Sequence, residues 1–234
     1  HAPQNTLAAF LLAAEMGADG VELDVHLSAD GQVVVIHDDT VDATTDGSGR
    51  VSALTLAELK ALDAGGWFDP RFAGERIPTL QEVFDAVGHR LLINVEIKVE
   101  AGYHPLEQEA ETVRLIEDNN LVERVIISSF SIASLRRVRR LNPHIALGLL
   151  YAQVETRLFP TLARLLGARY EALHPQFGLV DARYVASARR RGLHVNAWTA
   201  NEVDPMRRLI DVGANGIITN YPDRLRDLLA GHST

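Results

Sequence analysis

Two short stretches, VELDVH at 21–26 and INVEIKV at 93–99, interleave polar and apolar residues one by one. Successive side chains on a β-strand point to opposite faces. Leu23 and Val25 therefore share one face, and Glu22, Asp24 and His26 share the other. In the second stretch Ile93, Val95 and Ile97 oppose Asn94, Glu96 and Lys98. Three carboxylates on two strands face one lysine, and each carboxylate is costly to remove from water without a partner. Such a set is either an ion-paired layer of a protein interior or a cation site. Read as a site, Glu22, Asp24 and Glu96 supply only hard oxygen donors. With no cysteine and no paired histidine, they suit Mg2+ or Ca2+ better than zinc.

A candidate acid or base lies close by. Between VELDV and VVVIHD stands HLSADGQ, in which Asp30-Gly31 is a strong two-residue hairpin signal. If those two residues form the turn, Asp24 lies opposite His37 on the same face. A histidine beside a carboxylate that holds a cation is well placed to move a proton. Phe130 and Trp198 fall at the ends of later strands, where either substrate contact or core packing would place them.

Other polar features have plainer readings. The loop DDTVDATTDGSG begins like a calcium-binding loop at Asp42, Thr44, Asp46 and Gly47, but its twelfth position is Ala53 where a bidentate Glu is needed. The arginine runs at 136–140 and 189–191 read as solvated helix faces. His89, His104, His144 and His174 are given no role.

These residues need strands and helices to hold them. The strand candidates are GVELDVHL, QVVVIHD, LLINVEIK, RVIISSF, IALGLLY, YEALHPQ, HVNAWTA and GIITN. Amphipathic stretches such as PLEQEAETVRLIEDN, SIASLRRVRRLN and NEVDPMRRLIDVG lie between them. Thr199 or Asn201 is the expected cap of the last of these, with Gly213 at its end. The βαβ alternation predicts a parallel sheet covered by helices. No GxGxxG or GxxxxGK turn supports a doubly wound sheet. The polar residues Glu22, Asp24, Glu96, Lys98, Trp198 and Asn220 collect at strand ends instead, as in a (β/α)8 TIM-type barrel. No linker divides residues 1–234, so one domain is expected. The hairpin strand is an addition to the barrel, which leaves seven barrel strands and places the missing first strand ahead of residue 1. A barrel lacking that strand would expose two sheet edges and tend to associate. HAPQNTLAAF then leads into the first helix with Asn5 and Thr6 at its start.

The 234 residues suffice for one large α/β domain. A net charge of -8 disfavours a nucleic-acid partner and leaves an anionic substrate in need of local positive charge. Without cysteine there is no disulfide and no thiolate chemistry. No apolar run approaches the roughly 20 residues of a membrane span. No signal peptide is visible, and a cytoplasmic location is expected. The oligomeric state is left open.

APQNTLAAF, GADGVELDVHLSADGQVVVIHDDTVDATTDGSG, INVEIK, HVNAWTAN and GANGIITNYP, in that order, resemble the glycerophosphodiester phosphodiesterase family nearly end to end. The resemblance implies a (β/α)8 barrel of the phospholipase-C-like superfamily. It implies hydrolysis of glycerophosphodiesters to glycerol 3-phosphate and an alcohol, with Mg2+ or Ca2+ as cofactor. Glu22, Asp24 and Glu96 match the family's metal ligands, and His37 matches one of its two acid/base histidines. Lys98 matches a phosphate-contacting lysine, and Phe130 and Trp198 match aromatic positions near the substrate. The second family histidine sits in a His-Arg pair on the first barrel strand, ahead of residue 1, so weak or no turnover is expected of the chain as numbered. Gln4 replaces a usual Glu, and Ala43 a common Arg. Two alternatives remain. One is a phosphodiester- or metal-binding pseudoenzyme. The other is a lysophospholipase-D-like enzyme using Phe130, Leu149, Tyr151 and Phe177 as an apolar channel.

Overall fold

A computed structural model describes residues 1–99, 106–152 and 159–232; His104 lies outside them. Two compact units emerge, one of residues 1–15 and 19–125, the other of residues 16–18 and 126–234.

In the first unit α1 (Leu7–Glu15) precedes β1 (Gly20–Leu27) and β2 (Val33–Val35). There follow α2 (Leu56–Ala61), α3 (Leu80–Val87), β3 (Leu92–Ile97) and α4 (Glu107–Asp118). β1 is central, pairing antiparallel with β2 and parallel with β3. Leu23, Val25, Ile93, Val95 and Ile97 are buried, as the alternation requires. α1 is built of strong helix formers and ends before Gly17, whose φ of +82° suits a helix terminus. Thr55 with Glu58 and Thr79 with Glu82 close capping boxes on α2 and α3. A satellite core of Val34, Ile36, Val41, Val51, Leu59, Ala64 and Ile77 fixes the long excursion that follows β2.

The hairpin register differs from the expected one. Val25 pairs with Val35, His26 with Val34 and Leu27 with Val33, which shifts the register by one residue. A two-residue type I′ turn requires positive φ at both central residues. Here only Gly31 has it, at +79°. The loop is instead Ala29-Asp30-Gly31, closed by Ser28 N–H to Gln32 O (2.9 Å) and Gly31 N–H to Ser28 O (3.0 Å). Asp30 is occupied elsewhere, accepting from the Ser28 hydroxyl (2.7 Å) and from the Leu56 amide (2.9 Å). The residue opposite Asp24 is therefore Ile36, whose N–H reaches Asp24 O at 3.0 Å.

The second unit alternates strand and helix throughout. It comprises β4 (Val125–Ser129), α5 (Ile132–Leu141), β5 (Ala146–Tyr151), α6 (Phe159–Leu165) and β6 (Ala172–Pro175). Then come α7 (Ala182–Arg190), β7 (His194–Ala197), α8 (Val203–Asp211), β8 (Gly216–Ile217) and α9 (Pro222–His232). Every strand pair from β4 to β8 is parallel and sequential. Leu135, Val138, Val185, Ala188, Met206 and Leu209 bury the inner stripes of α5, α7 and α8. Neither Thr199 nor Asn201 caps α8. Its N-cap is Glu202, without a side-chain bond, while the Asn201 carboxamide oxygen accepts from the Asn220 amide at 2.9 Å. Gly213 does end the helix, at φ +78°.

One buried histidine gives this unit a pH dependence. His174 is fully buried, and Asn196 Nδ2 donates to its Nε2 at 3.0 Å, so the ring proton sits on Nδ1, which has no partner among the described residues. Burial pushes its pKa down to about 4. In the unfolded chain the value is about 6.5, so the unfolded state takes up the proton first as pH falls. Stability is complete above that value, declines between it and the folded value, and then levels off after a loss of about 3 kcal/mol. Urea unfolding of the wild type and of His174→Gln should diverge by this amount across the range, the wild type losing more stability than the variant as pH falls. The ring also leaves no room at Gly148, where a Cβ would lie 2.5 Å from His174 Nε2. Gly148→Ala is expected to cost about 1–3 kcal/mol by overpacking, read as a lower urea midpoint.

Candidate active site

The parallel pairing of β1 with β3 sets Asp24 beside Glu96 and Glu22 beside Asn94. Adjacent strands run about 4.8 Å apart, so paired residues on one face hold their side chains together. The candidate ligand oxygens of Glu22, Asp24 and Glu96 all lie within 4.8 Å of one another. Asp24 and Glu96 are buried, and Glu22 is partly so. Lys98 Nζ is the near countercharge, 3.1 Å from Glu96 Oε1 and 3.4 Å from Asp24 Oδ1.

One lysine does not balance three carboxylates. Burial, followed by repulsion from Asp24 and Glu96, pushes the Glu22 carboxyl well above the usual range. Burial likewise raises Glu96, against the pull of Lys98. Burial alone would lower the Lys98 ammonium, yet Asp24 and Glu96 more than reverse this and hold it above its ordinary value. The Oδ1 of Asn94, on the same strand face, is buried and has no partner among the described residues. Hard oxygen donors, excess negative charge and an unsatisfied neutral acceptor fit a hard divalent cation.

His37 joins this cluster by a route other than the hairpin register. A continued ladder would have turned it to the face away from Asp24. β2 instead stops at Val35 and the chain bends at residues 37–39. The bend is pinned by His26, whose Nε2–H donates to the His37 carbonyl at 3.2 Å. Burial keeps His26 below its ordinary pKa, against the opposing effect of that bond, so the ring is a neutral donor. His37 Nε2 lies 3.3 Å from Lys98 Nζ, and His37 Nδ1 lies 2.6 Å from Asp38 Oδ1. Lys98 can only donate and the Asp38 carboxylate can only accept. The His37 ring therefore carries its proton on Nδ1 and presents Nε2 as an acceptor. A small pocket here is lined by Gln4, Asn5, His37 and Thr44.

The second unit brings together the other two site candidates. Phe130 and Trp198 meet edge to face, with ring centroids 5.7 Å apart. Trp198 Nε1–H donates to His174 O at 2.7 Å, which fixes the indole, while Phe130 is 45% exposed. Leu149 and Tyr151 are buried, so neither is free to line an apolar channel.

Three residues around the cluster escape the sequence reading. Asp38 could have been found from its position next to His37. The backbone-pinning role of His26 and the contact of Asn5 with Asp24, 19 positions away, have no sequence signal.

Parallel βαβ repeats with carboxylates at the strand ends define an α/β protein of the (β/α)8 TIM-barrel type, with β2 as an added antiparallel strand. The family model for the glycerophosphoryl diester phosphodiesterase family matches residues 1–224. A glycerophosphodiester phosphodiesterase from Caldanaerobacter subterraneus is 44% identical over 98% of this chain and 93% of its own length. An Oleispira antarctica phosphodiesterase, solved with the product sn-glycerol 3-phosphate, superposes with a TM-score of 0.88 at 32% identity, covering 98% of this chain and 92% of that one. A putative glycerophosphoryl diester phosphodiesterase from Silicibacter pomeroyi gives 0.88 at 26% identity, over 99% and 90% of the two chains. The chain belongs to the glycerophosphoryl diester phosphodiesterase family, whose members are phosphoric diester hydrolases. Among the described residues no helix is long and apolar enough to cross a membrane.

Proposed function

We propose that residues 1–234 form one phosphodiesterase domain that hydrolyses small glycerophosphodiesters to glycerol 3-phosphate and an alcohol. The observation that carries this reading is the meeting of Glu22, Asp24, Glu96, Lys98 and His37 in one cluster. Glu22, Asp24 and Glu96 hold Mg2+ or Ca2+. When bound, the cation offsets charge developing on the phosphoryl oxygens. Lys98 contributes a second positive contact to the phosphate. His37 Nε2 is an acceptor before reaction, ready to take a proton from the attacking hydroxyl or to return one to the leaving alkoxide. Asp38 keeps the ring in that tautomer and stabilises it once protonated. The second proton-transfer role is assigned to none of these residues. For Phe130 and Trp198 we propose the substrate-contacting role that the resemblance implies, consistent with an indole fixed from behind and a half-exposed phenyl ring.

The test is release of glycerol 3-phosphate from glycerophosphocholine and glycerophosphoethanolamine. It should be run with Mg2+, with Ca2+ and with chelator, both on this chain and on a longer parent carrying an upstream His-Arg strand. Cation-dependent release is the expected result. A parent that binds these diesters without turning them over would favour the pseudoenzyme. Release of choline from lysophosphatidylcholine in preference to glycerophosphocholine would favour the lysophospholipase-D alternative.

A further inference from the structure

We propose that Asn5 is a positioning residue that sets the Asp24 carboxylate for cation binding; this rests on the reading of the acidic cluster as a cation site. Asn5 is one of two non-glycine residues with positive φ among the described residues, at 56°. Asparagine tolerates that conformation better than most side chains. The turn lets both ends of its carboxamide grip one residue. Asn5 Nδ2 donates to Asp24 Oδ2 at 2.9 Å, and the Asp24 backbone N–H donates to Asn5 Oδ1 at 3.3 Å. The side chain and the backbone of the same aspartate are thus held from one direction.

The chemistry of the clamp matters as much as its geometry. A lysine or arginine at this point would cancel charge that a cation needs. A neutral amide orients the carboxylate and leaves its charge in place. With Oδ2 occupied by Asn5, Asp24 Oδ1 is the oxygen turned toward Lys98. Helix capping does not explain Asn5, because Thr6 performs it. The Thr6 hydroxyl donates to Pro3 O at 2.7 Å and accepts from the Ala9 amide at 3.3 Å. The two neighbours divide the work, Thr6 bracing the loop and Asn5 reaching the site.

The full chain, stripped with chelator, would be titrated calorimetrically with CaCl2 and MgCl2. Glycine adopts positive φ readily, so Asn5→Gly removes both hydrogen bonds without adding backbone strain. Loss of such an outer partner typically weakens metal affinity about 10–100-fold, and that is the expected result. Thr6→Ala should lower the melting temperature and leave the cation affinity within about twofold, since it touches the loop and not Asp24. Equal affinity in Asn5→Gly and the wild type would overturn the inference, whatever the melting temperature does. A wild type that binds no cation would reject the cluster reading itself, and this inference with it. If Asn5→Gly does not fold, Asn5→Ala provides the readout. It removes both hydrogen bonds to Asp24, so a given excess of Ca2+ should raise its melting temperature by less than it raises the wild type's. An equal rise would overturn the inference.

Discussion

Glu22→Gln is expected to make the cation-free protein more stable and the enzyme about 10³-fold slower. The two effects have opposite sign because they draw on one property of the site. Glu22 is disfavoured as a carboxylate by burial and by the nearby charges of Asp24 and Glu96. A neutral amide of nearly the same shape removes that repulsion. For a chain of this size each kcal/mol gained raises the melting temperature by about 2–4 °C. The same change replaces one of three anionic oxygen donors within 4.8 Å of one another by a neutral and weaker one. Charge neutralisation by a bound cation contributes several kcal/mol to a transition state, and about 4 kcal/mol corresponds to 10³-fold in rate. Thermal melts in chelator and turnover in saturating Mg2+ or Ca2+ would check both halves. A variant that is less stable without cation, or that keeps wild-type turnover, would remove the basis for reading the cluster as a cation site.

His37→Ala is expected to lower kcat by about 10²–10⁴-fold with little change in cation affinity. The side chain is 51% exposed, so its loss leaves no buried cavity and stability should hardly change. Asp38→Asn supplies the graded control. It replaces the charged acceptor 2.6 Å from His37 Nδ1 by an amide that can donate as well as accept, and so frees the ring to adopt the other tautomer. Its loss in rate should therefore be real but smaller. The two variants separate proton transfer from charge: Glu22→Gln should weaken cation binding, and His37→Ala should not. A measured kcat for His37→Ala within a factor of two of wild type, in a parent that turns over well, would exclude His37 from the chemistry.

What the residues alone determine here is local and periodic. A period of two assigns Glu22, Asp24, Glu96 and Lys98 to one face and Leu23, Val25, Val95 and Ile97 to the other, because an apolar strand face must be buried. The eight strand candidates read from the residues coincide with the eight strands described, and the amphipathic stretches singled out coincide with α4, α5 and α8. The strand-to-strand register of β1 on β3 is a different matter. It brings Asp24 beside Glu96, and no pattern within either strand specifies it. His37 shows the limit more sharply. The two-residue turn inferred from Asp30-Gly31 would place it opposite Asp24, and the ladder in fact slips by one residue. It reaches the cluster because β2 ends early and His26 pins the bend, both consequences of packing at a distance. Asn5 follows the same rule. Its type suits a helix start, and its partner is decided only when the loop before α1 folds against β1. Alternation, capping and composition act over a few residues and can be read from them. Register, bends and clamps depend on contacts between segments far apart in sequence, which only the folded chain brings together.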